Sequence, residues 1–148
     1  KLNTRPMTRI IAAATLAAAL AVPVFAISEA EVEPDFLTYS PELLADLRAD
    51  NQPVFINLTA DWCITCLVNE RIALSSNKVK QLMADRGINY LKGDWTNSDP
   101  QITELLERFN RSGVPLYLLY PRGPGGAEIL PQILTESMVI DALNKAAG

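Results

Sequence analysis

The stretch Val54-Phe55-Ile56-Asn57-Leu58-Thr59-Ala60-Asp61-Trp62-Cys63-Ile64-Thr65-Cys66 decides the fold. Its first six residues form a β-branched and apolar run with the length of a buried strand. From Cys63 to about Leu74 the pattern turns helical, so a C-x-x-C pair stands where a strand gives way to a helix. At a helix start the first sulfur is expected to face solvent beside unpaired backbone N–H groups, whose partial positive charge favours thiolate over thiol. The second sulfur follows one turn later, within disulfide reach. Their order assigns roles: Cys63 attacks or is attacked to form a mixed disulfide, and Cys66 resolves it.

Two other readings of the pair are weaker. Only two cysteines and no histidine occur among the 148 residues. The commonest general base and every Ser-His or Cys-His arrangement are thereby missing. A tetrahedral metal site needs four ligands, so no metal is expected. A purely structural disulfide across two intervening residues would close a very small loop and add little stability. Redox exchange is favoured over both, with the Cys63–Cys66 disulfide as the redox group and no further cofactor.

Working outward, Ser40-Pro41-Glu42 reads as an N-cap with proline at the first helical position, opening a helix through about Ala49. After Ser75-Ser76-Asn77 a second helical stretch, Lys78 to Arg86, stops at Gly87. Ile88 to Leu91 is a strand, and Asp99-Pro100 opens a helix with Glu104/Arg108 and Glu107/Arg111 spaced as surface pairs. Val114 to Tyr120 and Ala127 to Leu130 are strands around a glycine and proline turn, and Thr135 caps a terminal helix. The order βαβαββα implies an α/β fold with a central mixed sheet flanked by helices.

Ser112-Gly113-Val114-Pro115 precedes one of those strands, and a proline just inside a strand needs a reason. One is a trans proline at the strand's first residue. Beside a dithiol the favoured one is a cis Val114-Pro115 peptide that leaves the Val114 backbone free to pair with an extended substrate.

The amino-terminal residues form no part of this pattern. Ile10 to Ile27 is uncharged and apolar, and as a helix would rise about 27 Å, near the thickness of the hydrocarbon core. Residues 1–27 are therefore expected to be either a membrane-spanning helix or a signal-type segment with a cleavage region near Val24-Phe25-Ala26. The chain opens at Lys1 rather than at methionine, which favours the spanning helix of a longer protein. Both readings place Ser28 onward outside the cytoplasm, where disulfides persist. Residues 28–39, with Glu29, Glu31, Glu33 and Asp35, read as an acidic linker, and residues 40–148 as one folded domain. Net charge is −4, and because Lys1, Arg5 and Arg9 precede the first acid, the remainder carries −7. An acidic domain without a basic stripe argues against a nucleic-acid partner.

Thr59-Ala60-Asp61-Trp62-Cys63-Ile64-Thr65-Cys66 with Val68-Asn69-Glu70, together with Lys92-Gly93-Asp94-Trp95-Thr96 and Ser112-Gly113-Val114-Pro115-Leu116-Tyr117, resembles the C-terminal periplasmic thioredoxin-like domain of the DsbD/ScsB thiol:disulfide interchange family. The resemblance covers about Leu43 to the C-terminus and implies a thioredoxin-like fold. It also implies a protein-disulfide reductase: a membrane electron-transfer domain, of the same or a partner protein, would reduce this domain, which would reduce periplasmic thiol-disulfide proteins. Residues 10–27 would then be the last membrane helix, anchoring a periplasmic domain to a bacterial inner membrane. A stand-alone secreted reductase, or a haem-maturation reductase acting in cytochrome c biogenesis, is the alternative within the fold. A redox-inert peptide-binding module is the alternative outside it.

Two positions depart from the family. The usual acid six residues before the first cysteine is Asn57, and the lysine common after the second is Leu67. Glu70, one turn after Cys66, is the best remaining carboxylate, and its charge would disfavour thiolate. Alternatively, Glu70 pairs with a surface arginine. Asp61 is expected to cap the active helix, and Trp62 either shields the sulfur or packs. Lys92 and Asp94 lie either beneath the dithiol or, the favoured reading, at the surface, and Trp95, Tyr117 and Tyr120 are core candidates.

Overall fold

The computed structural model describes residues 35–148; the expected membrane or signal segment, and the linker as far as residue 34, lie outside them. The elements are β1 (Leu37–Thr38), α1 (Pro41–Ala49), β2 (Val54–Thr59), α2 (Ile64–Asn69), a π-helical turn (Glu70–Leu74), α3 (Asn77–Arg86), β3 (Asn89–Asp94), α4 (Pro100–Arg108), β4 (Leu116–Tyr120), β5 (Glu128–Ile129) and α5 (Glu136–Ala147). The sheet runs β1-β3-β2-β4-β5. β3 is parallel to β1 and β2, whereas β4 is antiparallel to β2 and β5, so the expected mixed sheet is present. Among the described residues no helix is long and apolar enough to cross a membrane.

All six residues of β2 are buried, which explains why the sequence shows a continuous run and no alternation. Phe55 faces a core with Ala73, Leu74, Val79, Tyr117, Val139 and Leu143. Val54, Ile56 and Leu58 face the opposite core, with Leu91, Ile102, Leu105, Leu116 and Leu118. Gly93 permits a close approach of layers there, because a Cβ would stand 2.7 Å from Leu58 Cδ2 and 3.1 Å from Ile102 Cδ1.

The helix ends follow local chemistry. Ser40, Asp99 and Thr135 each accept from a backbone N–H of the first turn, and Gly87 closes α3 at φ 60°. Glu104 and Arg108 pair at 3.4 Å across a turn of α4. Arg111 lies beyond the end of α4, and among the described residues no ion pair joins it to Glu107.

Three features depart from the sequence reading. The last residues of the supposed linker belong to the sheet: Leu37 and Thr38 pair with Leu91 and Lys92, and Tyr39 is buried. The helix expected to continue from Cys63 to Leu74 widens after Asn69 into a π turn, in which Ser75 N–H donates to Glu70 O at 2.8 Å. The extra residue in that turn brings Ala73 and Leu74 into the core below buried Asn69. The strands expected at 114–120, 88–91 and 127–130 run instead over Leu116–Tyr120, Asn89–Asp94 and Glu128–Ile129.

Candidate active site

Cys63 and Cys66 form a disulfide, with S–S 2.04 Å and Cα atoms 5.2 Å apart. Cys63 is itself the N-cap of α2: its Sγ accepts from Cys66 N–H at 3.2 Å. This corrects the expectation for Asp61, which stands two residues too early to cap. Asp61 lies in a turn closed by Cys63 N–H to Ala60 O, and its own N–H donates to Thr96 Oγ1. Cys63 keeps 7% exposure, far less than the solvent-facing position expected, and Cys66 has none. Ala60 and Val114 pack against both sulfurs' residues, and the Val114-Pro115 peptide is cis.

Trp62 is 57% exposed, its Nε1 donating to Thr96 O at 3.1 Å and its ring 6.0 Å from that of Trp95. Trp95 is partly buried against the Leu58 side of the core, with Nε1 donating to Thr103 Oγ1 at 2.8 Å. Tyr117 is fully buried, and Tyr120 lies half-buried under the Arg48 guanidinium, 5.2 Å from the ring centroid. Asp94 is exposed, and hydrogen bonds from the Thr96 hydroxyl and N–H hold its carboxyl below the usual range.

Glu70 does not sit with an arginine. Its Oε2 accepts from Lys92 Nζ at 2.9 Å and its Oε1 from Asn57 Nδ2 at 3.0 Å. Lys92, expected at the surface, is thus half-buried in an ion pair below the active helix. Asn57 is wholly buried; Nδ2 also donates to Tyr90 OH at 3.0 Å, while Oδ1 has no partner among the described residues. Burial pushes the Tyr90 hydroxyl well above its ordinary pKa, and the nearby Glu70 carboxylate adds to the effect against the Asn57 hydrogen bond. Glu70 and Lys92 line a cleft of about 250 Å³ with Phe36, Thr38, Thr59, Ala60, Asp61, Leu67 and Asp94.

Sequence reasoning weighed Lys92 beneath the dithiol but favoured the surface for it, and it missed Tyr90 and Phe36 as neighbours of this site. One signal was available: with β2 and β3 parallel, Asn57 falls opposite Lys92 in register. Chemically, the arrangement offers a disulfide with one slightly exposed cysteine and one fully buried, beside a carboxylate–ammonium pair on a buried amide. Such a set can exchange a disulfide with another thiol pair and needs no metal to do so.

Comparison with known proteins agrees with this geometry. A family model described as thioredoxin-like matches residues 35–121. The thiol:disulfide interchange protein DsbD 1 of Pseudomonas aeruginosa is 38% identical over 85 residues, 57% of this chain and 14% of that protein. DsbD of Escherichia coli strain K12 is 32% identical over 74 residues, 50% of this chain and 13% of that protein. The chain thus spans only a small part of the length of the curated relatives it matches. The oxidised C-terminal domain of Neisseria meningitidis DsbD superposes with TM-score 0.60 at 21% identity, covering 75% of this chain and 98% of that one.

Proposed function

The chain belongs to the thioredoxin-like family, and on that premise we propose that it is a thiol:disulfide oxidoreductase whose Cys63–Cys66 pair passes reducing equivalents from a membrane electron-transfer domain to periplasmic thiol proteins. The observation that carries the reading is the asymmetry of the pair: the two cysteines of the chain are joined to each other, and only Cys63 retains exposure. A donor thiolate attacks Cys63 Sγ, the Cys63–Cys66 bond breaks, and Cys66 leaves as a thiolate that takes up a proton. The donor's second thiolate then displaces Cys63, which takes the second proton, and the donor departs as a disulfide. The same steps in reverse deliver both electrons to an acceptor disulfide, with Cys63 attacking and Cys66 resolving.

The other groups have supporting roles. The backbone of Val114, beside Pro115, offers pairing to an extended partner segment, and exposed Trp62 flanks the approach. Glu70 opposes ionisation of Cys63, so that the thiol reacts chiefly when a partner docks. The domain is read as periplasmic, carried by residues 10–27 in the inner membrane.

Equilibration with glutathione followed by trapping tests the proposal. The full chain should reach a two-electron equilibrium, and Cys66→Ala should accumulate a mixed disulfide that Cys63→Ala does not. Equal trapping by both variants would mean that the assigned roles are wrong, and no equilibrium at all would indicate a redox-inert binding module.

A further inference from the structure

The segment that leads into the domain ends against the acid–base pair. Phe36, just before β1, lies with its ring 6.0 Å from that of Tyr90 in an edge contact, and Lys92 Nζ stands 5.2 Å from its centroid. Lys92 Nζ also bonds Glu70, Glu70 bonds Asn57, and Asn57 bonds Tyr90 OH. The contacts therefore close a ring of five side chains: Phe36, Lys92, Glu70, Asn57 and Tyr90. Phe36 is held in that ring by its neighbours in sequence. Leu37 and Thr38 pair with β3, Tyr39 N–H donates to Lys92 O at 2.9 Å, and Asp35 pairs with Lys80 of α3 at 2.5 Å.

Phe36 also walls the cleft that reaches from Glu70 to Ala60 and Asp61 beside the dithiol. The ring's face attracts the ammonium, and its apolar bulk keeps water from the carboxylate. Excluding water strengthens what the charge on Glu70 can do nearby, since a field is screened less there, while the hold on the ammonium keeps the Glu70–Lys92 pair in one arrangement.

We propose that Phe36 is a positioning residue for the dithiol: by covering Lys92 it fixes the Glu70–Lys92 pair and so sets how readily Cys63 ionises. The proposal rests on the reading of Cys63 as the exchanging thiol and Glu70 as the carboxylate that tunes it. It gives the chain leading into the domain a hold on the chemistry, through a strand of two residues at the sheet edge. The other titratable groups facing the pair are Asp61 and Asp94 across the cleft, Tyr90 on β3 and Tyr117 on β4, with Asp35 before β1 acting on Tyr90.

The test is the pH midpoint of thiolate absorbance in the reduced full chain, for Phe36→Ala, Phe36→Tyr, Glu70→Gln and the Phe36→Ala/Glu70→Gln double variant. Phe36→Ala should raise the thiolate fraction at neutral pH about twofold, the size of one exposed cation–π contact. Phe36→Tyr keeps an aromatic face over Lys92 and should behave as the parent. In the Glu70→Gln background, Phe36→Ala should add nothing, because the two changes act through one carboxylate. A midpoint moved by Glu70→Gln but not by Phe36→Ala would overturn this proposal alone. Equal shifts from Phe36→Ala with and without Glu70 would overturn it as well. A midpoint that Glu70→Gln leaves in place would remove the tuning role of Glu70 and this proposal with it.

Discussion

Asn69, at the end of the active helix α2, and Asn57, on β2, are both buried, and their surroundings differ in how completely they are satisfied. Asn69 donates through Nδ2 to Tyr117 OH at 2.9 Å and Gln132 O at 2.7 Å, and its Oδ1 accepts from Leu134 N–H at 3.1 Å. It ties α2 to β4 and to the segment before α5, and both of its side-chain polar atoms have partners. Asn57 spends its amide protons on Glu70 and Tyr90 and keeps a buried oxygen without a partner. Its side also carries an ion pair and opens onto a cleft. A buried polar group that is fully paired fixes geometry, whereas one with spare capacity beside charges is suited to respond when a proton moves. On this argument the Asn69 side is a wall and the Asn57 side is where the environment of the thiol is set.

The sharpest way to break that contrast is to remove each amide. Asn69→Ala leaves a buried N–H at Leu134 and the Tyr117 hydroxyl without a partner, so stability should fall by about 2–4 kcal/mol. Asn57→Ala should cost less, about 1–2 kcal/mol, because one of its capacities is already unused. The urea midpoint measures the first effect. The titration midpoint of Cys63 should move for Asn57→Ala and stay for Asn69→Ala. Equal destabilisation, or a thiol that responds to Asn69 and ignores Asn57, would erase the distinction.

High pH offers a second, smaller lever. Burial pushes the Tyr117 hydroxyl up to about 12, with the Glu70 carboxylate adding and the Asn69 hydrogen bond opposing. A phenol whose folded pKa is raised favours the folded state fully below its unfolded value, about 10, and the contribution is lost as pH rises through about 12. On the order of 2 kcal/mol should therefore drain away across that window from this group. Tyr39, also raised to about 12 by burial, and Tyr90 add losses of the same sign. Tyr117→Phe should flatten the decline between pH 9 and 12 by its own share. An unchanged slope would mean that Tyr117 meets solvent on the side assigned to the wall.

The path from sequence to this picture was uneven for physical reasons. The strand β2, the dithiol at the head of a helix and the caps at Ser40, Gly87, Asp99 and Thr135 rest on local chemistry, and local chemistry can be read from neighbouring letters. β1 could not be read, because two residues in an acidic stretch become a strand only by pairing with β3, more than 50 positions away. Lys92 looked like a surface lysine because its partner stands 22 residues earlier, and nothing between them announces the ion pair. Asp61 had the right chemistry for a cap and the wrong place: the helix starts late enough for Cys63 Sγ to do the capping. The resemblance supplied the loss of an acid at Asn57, but only the structure shows that the amide bonds the carboxylate of Glu70.

Glu70→Gln should produce the smallest of these effects, and it bears most directly on why the two sides differ. The helix start favours the Cys63 thiolate through the Cys66 N–H that points at its sulfur. A carboxylate one turn beyond Cys66 acts against it, but Lys92 neutralises much of that charge at 2.9 Å, so the residual push should be small. Glutamine removes the charge and leaves the ammonium of Lys92 unpaired, and both changes favour the thiolate. The midpoint of Cys63 should therefore fall. Each thiolate becomes a slightly weaker nucleophile, so the alkylation rate at neutral pH should rise by less than the thiolate fraction does. Adding Lys92→Met should return the midpoint most of the way, since the pair acts as a unit. If Glu70→Gln leaves the midpoint where it was, the charge pair is too well balanced to reach the sulfur, and the spare acceptor on Asn57 becomes the feature that sets that side of the helix apart.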